Sequence, residues 1–362
     1  MKEDFKSIGL KEKMPKLDKL LQHVGSVGFV GMGGIGKSTF AIALSDHISH
    51  QYDVTVFVNA FKDESCTFAV KYNLQDVKAL PETKTLKEGR EILTQLQSTQ
   101  KILIIVDNVG EANQLNELLG NHKFQDGDGS KFIATSREWK CLEAYVPVVG
   151  KVDVKTLDGQ QSLELFSMHA NFTTNQPCLP YLTYVVKEIV NACDELPLSL
   201  EVMGSSLNGE KRLRIWERRL QRLMRARHDG GEDHRIWNTL RTSFDELNDR
   251  EKNMFLDISC FFCKDSWIGG LQSTKETILR CFDDDDDSII EQTFKRLQDK
   301  SLLKVDEYGG LDMHDQLRDM GRMIVDKEYQ GSRIWDFSSS TFIHYCNRKV
   351  CGTQTNIFTK SS

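Results

Sequence analysis

Short apolar runs alternate with helix-spaced apolar residues along the first third of the chain. Residues 27–30 form a brief apolar run that ends in glycines, and 39–48 then follows a helical period. Residues 54–58 predict the next strand. A helix is expected over 86–96, with Leu86, Ile92, Leu93 and Leu96 as its apolar residues. Residues 102–106, ILIIV, are continuously aliphatic, as a strand buried on both faces of a parallel sheet would be. Further strands are predicted at 131–135 and 146–149. Strands separated by helices imply parallel pairing through right-handed crossovers.

From about Asp158 the pattern turns helical. Residues 160–170, 181–193, 198–207 and 213–224 carry apolar residues at helical spacing, broken by Pro177, Pro180 and Pro197. Leu247, Phe255 and residues 258–262 predict more helices around an apolar core. A helix over 289–297, a strand over 302–305, the Gly309–Gly310 turn and a strand over 311–313 have the order of a winged helix. Periodicity ends after Asp336, and no repeat of 20 to 50 residues is present. The expected fold class is α/β: a P-loop NTPase parallel sheet (1–155), an all-α domain (156–228), a winged-helix domain (229–332) and an irregular tail (333–362).

Composition narrows the options. With 39% hydrophobic and 28% charged residues the chain reads as globular, and its longest aliphatic run is too short for a bilayer span. The amino end lacks a signal-peptide core and a Gly after Met1, so a cytoplasmic location is expected. A net charge of −6 with no dominant basic block argues against a nucleic-acid partner. The basic stretch 212–227 reads as the solvated side of a helix. Nine scattered cysteines suit a reducing compartment. Cys260 and Cys263 have zinc-knuckle spacing, but no second pair follows at a matching distance, so the pair reads as helix core. The acidic run 283–287 reads as a solvated loop or helix start.

Chemistry concentrates in residues 31–38, GMGGIGKS, a full GxxxxGK[ST] that follows a predicted strand and opens a predicted helix. Gly31, Gly33, Gly34 and Gly36 allow the backbone to curl its N–H groups toward phosphates, and Ile35 is counted with them in the binding loop. Lys37 brings positive charge, and the Ser38 hydroxyl, followed by Thr39, can ligate magnesium. Asp107 ends the aliphatic strand, where an acid can hold the magnesium water shell. Asn108 follows it and cannot act as a general base, so turnover is expected to be slow. Arg137 at the tip of strand 131–135 can reach a γ-phosphate.

Together these residues resemble the NB-ARC module of plant NLR immune receptors, which are signalling P-loop ATPases. The resemblance spans roughly residues 5–336. Beyond the phosphate loop it rests on IVDNV (105–109), GSKFIATSRE (129–138), LDGQQSLELF (157–166), ELPLSL (195–200), FLDISCFF (255–262) and Met313–His314–Asp315, with GSRIWD (331–336) closing it. FLDISCFF and GSRIWD point to the class of receptor that carries a TIR domain. The resemblance implies a clamp for ADP or ATP with Mg. In that clamp Pro197 packs on adenine, Ile8, Gly9 and Leu10 line the base, and Arg137 acts as sensor. His314 reaches the ADP β-phosphate. It implies an ADP-bound off state, an ATP-bound on state and slow or no hydrolysis. Self-association or pairing with other receptor chains is the implied macromolecular partnership, and the winged helix latches the molecule rather than reading DNA. The sequence departs from the family at Glu195, where a Gly is usual, and at Asn108, where many relatives carry a second acid. No TIR, coiled-coil or leucine-rich-repeat segment lies within the 362 residues, so an interaction fragment and a working ATPase stand as alternative readings.

Overall fold

The computed structural model describes residues 8–10, 13–60, 65–72, 77–78, 82–120, 129–143, 145, 150–172, 180–228, 235–262, 287–305 and 310–328. The strand expected over 146–149, Cys263, residues 283–286 of the acidic run, GSRIWD and the tail lie outside them.

The chain divides into two compact units. The first holds Met1–Leu165 with Glu195–Leu198, and the second holds Phe166–Asp194 with Ser199–Ser362.

The first unit is an eight-stranded sheet, with β1 (Ser26–Val30), β2 (Val54–Ala60), β3 (Ser65–Tyr72), β4 (Val77–Lys78), β5 (Glu82–Thr85), β6 (Ile102–Val109), β7 (Lys131–Ser136) and β8 (Gly150–Asp153). The main path runs β4-β3-β2-β6-β7-β1-β8, with β5 also on β3. From β2 to β8 every pairing is parallel, whereas β3 lies antiparallel to β2, and β4 and β5 antiparallel to β3. The aliphatic run sits at the middle of this order. Ile102, Leu103, Ile104 and Val106 are fully buried, because helices cover both faces of a parallel sheet.

Five helices belong to this sheet: α1 (Met14–Val24), α2 (Lys37–Ile48), α3 (Leu86–Gln97), α4 (Ala112–Leu119) and α5 (Trp139–Glu143). In α1 the buried residues are Met14, Leu17 and Leu21, one face at helical spacing, and Gly25 closes the helix in the left-handed conformation. Thr85 starts α3 with a capping box, its hydroxyl accepting from the Glu88 N–H. The edge strand β8 is half exposed along its length, which is why its sequence, GKVD, carries little strand signal.

The second unit is helical. It contains the end of α6 (Gly159–Ala170), α7 (Pro180–Ala192), most of α8 (Pro197–Ser206), α9 (Leu213–His228), α10 (Arg235–Asp245), α11 (Asp249–Asp257) and a π-turn over Ile258–Phe262. Phe166 meets the buried Trp216 edge-on at 6.2 Å, tying α6 to α9. Gly204 lets α8 approach α6 closely; a Cβ there would lie 2.8 Å from the Phe166 carbonyl. α12 (Asp287–Asp299) then feeds a two-stranded antiparallel hairpin, β9 (Lys304–Val305) with β10 (Leu311–Asp312), and α13 (Asp315–Glu328) follows. Helix, hairpin and helix occur in the order expected of a winged helix. The hairpin is tied to α8 by Lys304 Nζ at 3.0 Å from Glu201, and the turn before it by the Ser205 and Ser301 hydroxyls at 2.8 Å.

Candidate functional site

β7 lies between β1 and β6, so the ends of three parallel strands bring together segments far apart in sequence. The turn after β1 is the glycine loop. Gly34 and Gly36 have φ of 77° and 97°, conformations that side chains rarely adopt, and this curl delivers the chain into α2. Gly36 is the residue before α2 and supplies no side-chain cap. The first-turn N–H groups of that helix therefore face the loop, an arrangement suited to anions. Lys37 Nζ donates to the Met32 carbonyl at 2.9 Å, arching back over the loop.

Across the sheet, the Ser38 hydroxyl donates to Asp107 Oδ1 at 2.8 Å, joining residues 69 apart in sequence. Thr135 Oγ1 donates to the same oxygen at 2.5 Å and accepts from the Asn108 N–H at 2.9 Å. Asp107 is only half buried and keeps its second carboxylate oxygen beyond these two bonds. One hydroxyl and one carboxylate held this way, beside a glycine loop and a lysine, form a donor set that fits magnesium and phosphate oxygens. Thr135 is the site residue that sequence reading passed over. It lies in an ordinary β-run, and its role depends on which strand lies next to β7.

A bulge positions Asp107. Val106 pairs with Ala134 and Val109 with Ser136, so three steps on β6 match two on β7. Asn108 occupies the bulge at φ 62°, a conformation that Asn and Asp tolerate better than other side chains. Beyond it, the buried Ser136 hydroxyl lies 2.7 Å from the Val109 carbonyl. Arg137 follows, exposed at the end of β7.

Glu195–Leu198 groups with the phosphate loop. The Leu198 N–H donates to the Gly34 carbonyl at 3.2 Å, and a Cβ built on Gly36 would lie 3.9 Å from Pro197 Cγ. Pro197, half buried, therefore borders the loop at the first position of α8, where its missing N–H costs nothing. Glu195 has φ 58° and Asp194 φ 52°. The turn that a glycine would make without strain is thus kept by a glutamate, whose carbonyl accepts from the Leu157 N–H at 3.2 Å. At the amino end, Gly9 has φ 67° and packs on Gln161 of α6, which leaves no room for a Cβ; Ile8 beside it is half buried.

His314 belongs to the second unit and is exposed at the start of α13. Its Nδ1 accepts from the Gln316 N–H at 3.1 Å, and its carbonyl accepts from the N–H groups of Leu317 and Arg318. It caps the helix, and the capping bond assigns the ring proton of a neutral imidazole to Nε2. Cys260 is a buried thiol in the π-turn, and no cluster of metal-ligating side chains occurs among the described residues. Nor is any helix there long and apolar enough to cross a membrane.

Comparison with known proteins agrees with this geometry. Residues 10–176 match the NB-ARC domain family, and residues 248–329 match the winged-helix domain of Roq1-like disease resistance proteins. Disease resistance protein RUN1 of Vitis rotundifolia is 30% identical over 350 residues, covering 90% of this chain and 24% of that protein. TMV resistance protein N of Nicotiana glutinosa is 28% identical over 344 residues, covering 91% and 28%. The chain thus spans about a quarter of the length of these relatives. Among solved structures, a signal transduction ATPase with numerous domains from Pyrococcus horikoshii, with a tetratricopeptide repeat sensor, superposes with a TM-score of 0.53. That likeness has 14% identity over 94% of this chain and 45% of the other, and it supports the fold. With its glycine loop, its sheet order and both domain matches, the chain carries an NB-ARC domain over residues 10–176 and a winged-helix domain of the Roq1-like type over 248–329, and the relatives named above are plant disease resistance proteins.

Proposed function

We propose that this chain is the nucleotide-operated switch of a plant immune receptor, with ADP in its off state, ATP in its on state and slow or no hydrolysis. The observation that carries the reading is the Ser38–Asp107 hydrogen bond, flanked by the Thr135 bond to the same carboxylate. It joins the helix after the phosphate loop to the acid at the end of β6 where a magnesium nucleotide requires both. In this reading Gly31, Gly33, Gly34, Ile35, Gly36, Lys37, Ser38 and Thr39 cradle the phosphates, and Ser38 and Asp107 hold Mg. Held by these two side chains, Mg would neutralise phosphate charge. Arg137 senses the γ-phosphate, Pro197 packs on the base that Ile8 and Gly9 line, and His314 latches the winged helix to ADP. The cytoplasm is the compartment this reading expects.

The deciding experiment is to purify the chain without added nucleotide, denature it and identify what it releases by chromatography. Near-stoichiometric ADP is the expected result. An empty, folded protein that turns over added ATP would replace the switch with a working ATPase. An empty and inert one would leave only an interaction fragment.

Asn108 separates chemistry from backbone shape. Asn108→Asp restores an acid at a position whose left-handed conformation it tolerates, so ATP turnover is expected to rise with unchanged stability. Asn108→Ala should instead cost about 1 kcal/mol in thermal or denaturant unfolding, because alanine pays for positive φ. Unchanged turnover in the Asp variant would place the water-orienting group elsewhere.

A further inference from the structure

Helix α9 presents two faces of opposite character. Trp216, Arg219 and Leu223 point inward and are buried, and Arg219 is paired with Glu246. Arg214, Arg218 and Arg225 are exposed and carry no hydrogen bond or ion pair among the described residues. At 3.6 residues per turn these three fall within about 40° of one another. They are spaced by about 6 Å and then about 10 Å along the axis. Arg222 borders the stripe, bonded to Glu246 at 2.8 Å with its side chain 45% exposed.

The neighbouring helix α7 adds an aromatic platform. Tyr181 and Tyr184 are 50% and 56% exposed, and their rings stack with centroids 6.3 Å apart and planes 26° apart. Tyr181 hydrogen-bonds to Glu217, which lies on α9 between Arg214 and Arg218, so platform and stripe share one surface. Lys187, one turn further along α7, is exposed as well. The acids on these two helices, Glu188 and Glu217, are half buried, and Glu217 is engaged by Tyr181.

We propose that this face of α7 and α9 binds single-stranded nucleic acid, with the arginine stripe tracking phosphates and the tyrosine stack receiving a base. Guanidinium groups suit phosphate oxygens through paired N–H donors, and an exposed aromatic face accepts any base. The large exposed hydrophobic residues among those described are Met32, Tyr181, Tyr184 and Ile289. This face therefore lacks the aliphatic centre of a stable protein interface and has nothing to insert among acyl chains. The overall charge of −6 averages over the whole chain and conceals a local stripe of one sign.

Fluorescence anisotropy with labelled mixed-sequence dodecamers, as single-stranded DNA, single-stranded RNA and duplex, tests this in excess ADP so that the phosphate loop is filled. Single strands should bind, with the logarithm of the binding constant falling at a slope of about −2 against that of salt for three phosphate contacts. Which of DNA and RNA binds more tightly identifies the natural source. The combined variant Arg214→Glu, Arg218→Glu, Arg225→Glu should weaken binding more than tenfold with an unchanged circular dichroism spectrum. Tyr181→Ala with Tyr184→Ala should weaken it about tenfold through lost stacking. No saturable binding at low salt, or unchanged binding by the charge-reversed variant, would overturn the assignment. So would equal binding of duplex, of a poly-glutamate peptide or of phosphatidylserine vesicles.

Discussion

Lys37→Ala protein is expected to emerge from purification without bound nucleotide, while the unaltered chain carries it. Lys37 is the cation that arches over the glycine loop to the Met32 carbonyl, and it opens α2. Alanine there keeps the helix, since no residue favours a helix more, so the fold should survive. What is lost is a charge-assisted contact to phosphate. At about 2 to 3 kcal/mol that weakens binding by roughly a hundredfold. The check is chromatography of the denatured supernatant beside a circular dichroism melt of nucleotide-free protein. Retained ADP in the variant would count decisively against the phosphate loop as the binding site.

The second large effect is expected at His314, where two roles have to be separated. Its Nδ1 is occupied as a helix cap, so contact with a nucleotide would fall to Nε2. His314→Ala removes both functions: the cap, worth about 1 kcal/mol of stability, and the latch. His314→Asn retains a capping oxygen but has nothing in place of Nε2. Both variants should release ADP about tenfold faster in a chase with unlabelled nucleotide, whereas only the alanine variant should melt earlier. A wild-type release rate in the Asn variant would leave His314 as a cap alone.

Much of this site was legible because its chemistry is local. GMGGIGKS needs glycines and a lysine at fixed offsets, and those offsets stand in the sequence whatever the rest of the fold does. The aliphatic run before Asp107 announces a doubly covered strand, and it proved to be at the centre of the sheet order. Tertiary features were harder to read. Thr135 matters because β7 inserts between β1 and β6, a fact no window of sequence contains. The antiparallel strands β3 to β5 were missed although Cys66 and Phe68 of β3 alternate with polar residues; that alternation lasts only a few positions, and β4 and β5 are too short to mark themselves. Helix α1 was also overlooked, despite a proline in its first turn and three apolar residues on one face. Glu195 shows the reverse case. A glutamate masked a turn that the glycine usual there would have advertised, because neighbouring hydrogen bonds impose the left-handed conformation.

The bulge at Asp107–Asn108 also bears on how natural variants of this gene product should be read. A bulge holds one residue more than the ladder needs, so a single-codon deletion at 108 shortens this stretch of β6 to the count of its neighbour β7. It would straighten the ladder with Val109 still opposite Ser136, and would remove the left-handed kink that follows Asp107 together with the N–H that Thr135 accepts. A three-nucleotide deletion at this codon is therefore expected to leave the sheet folded while misplacing Asp107 and weakening nucleotide binding, whereas an Asn-to-Asp exchange at the same codon leaves both intact.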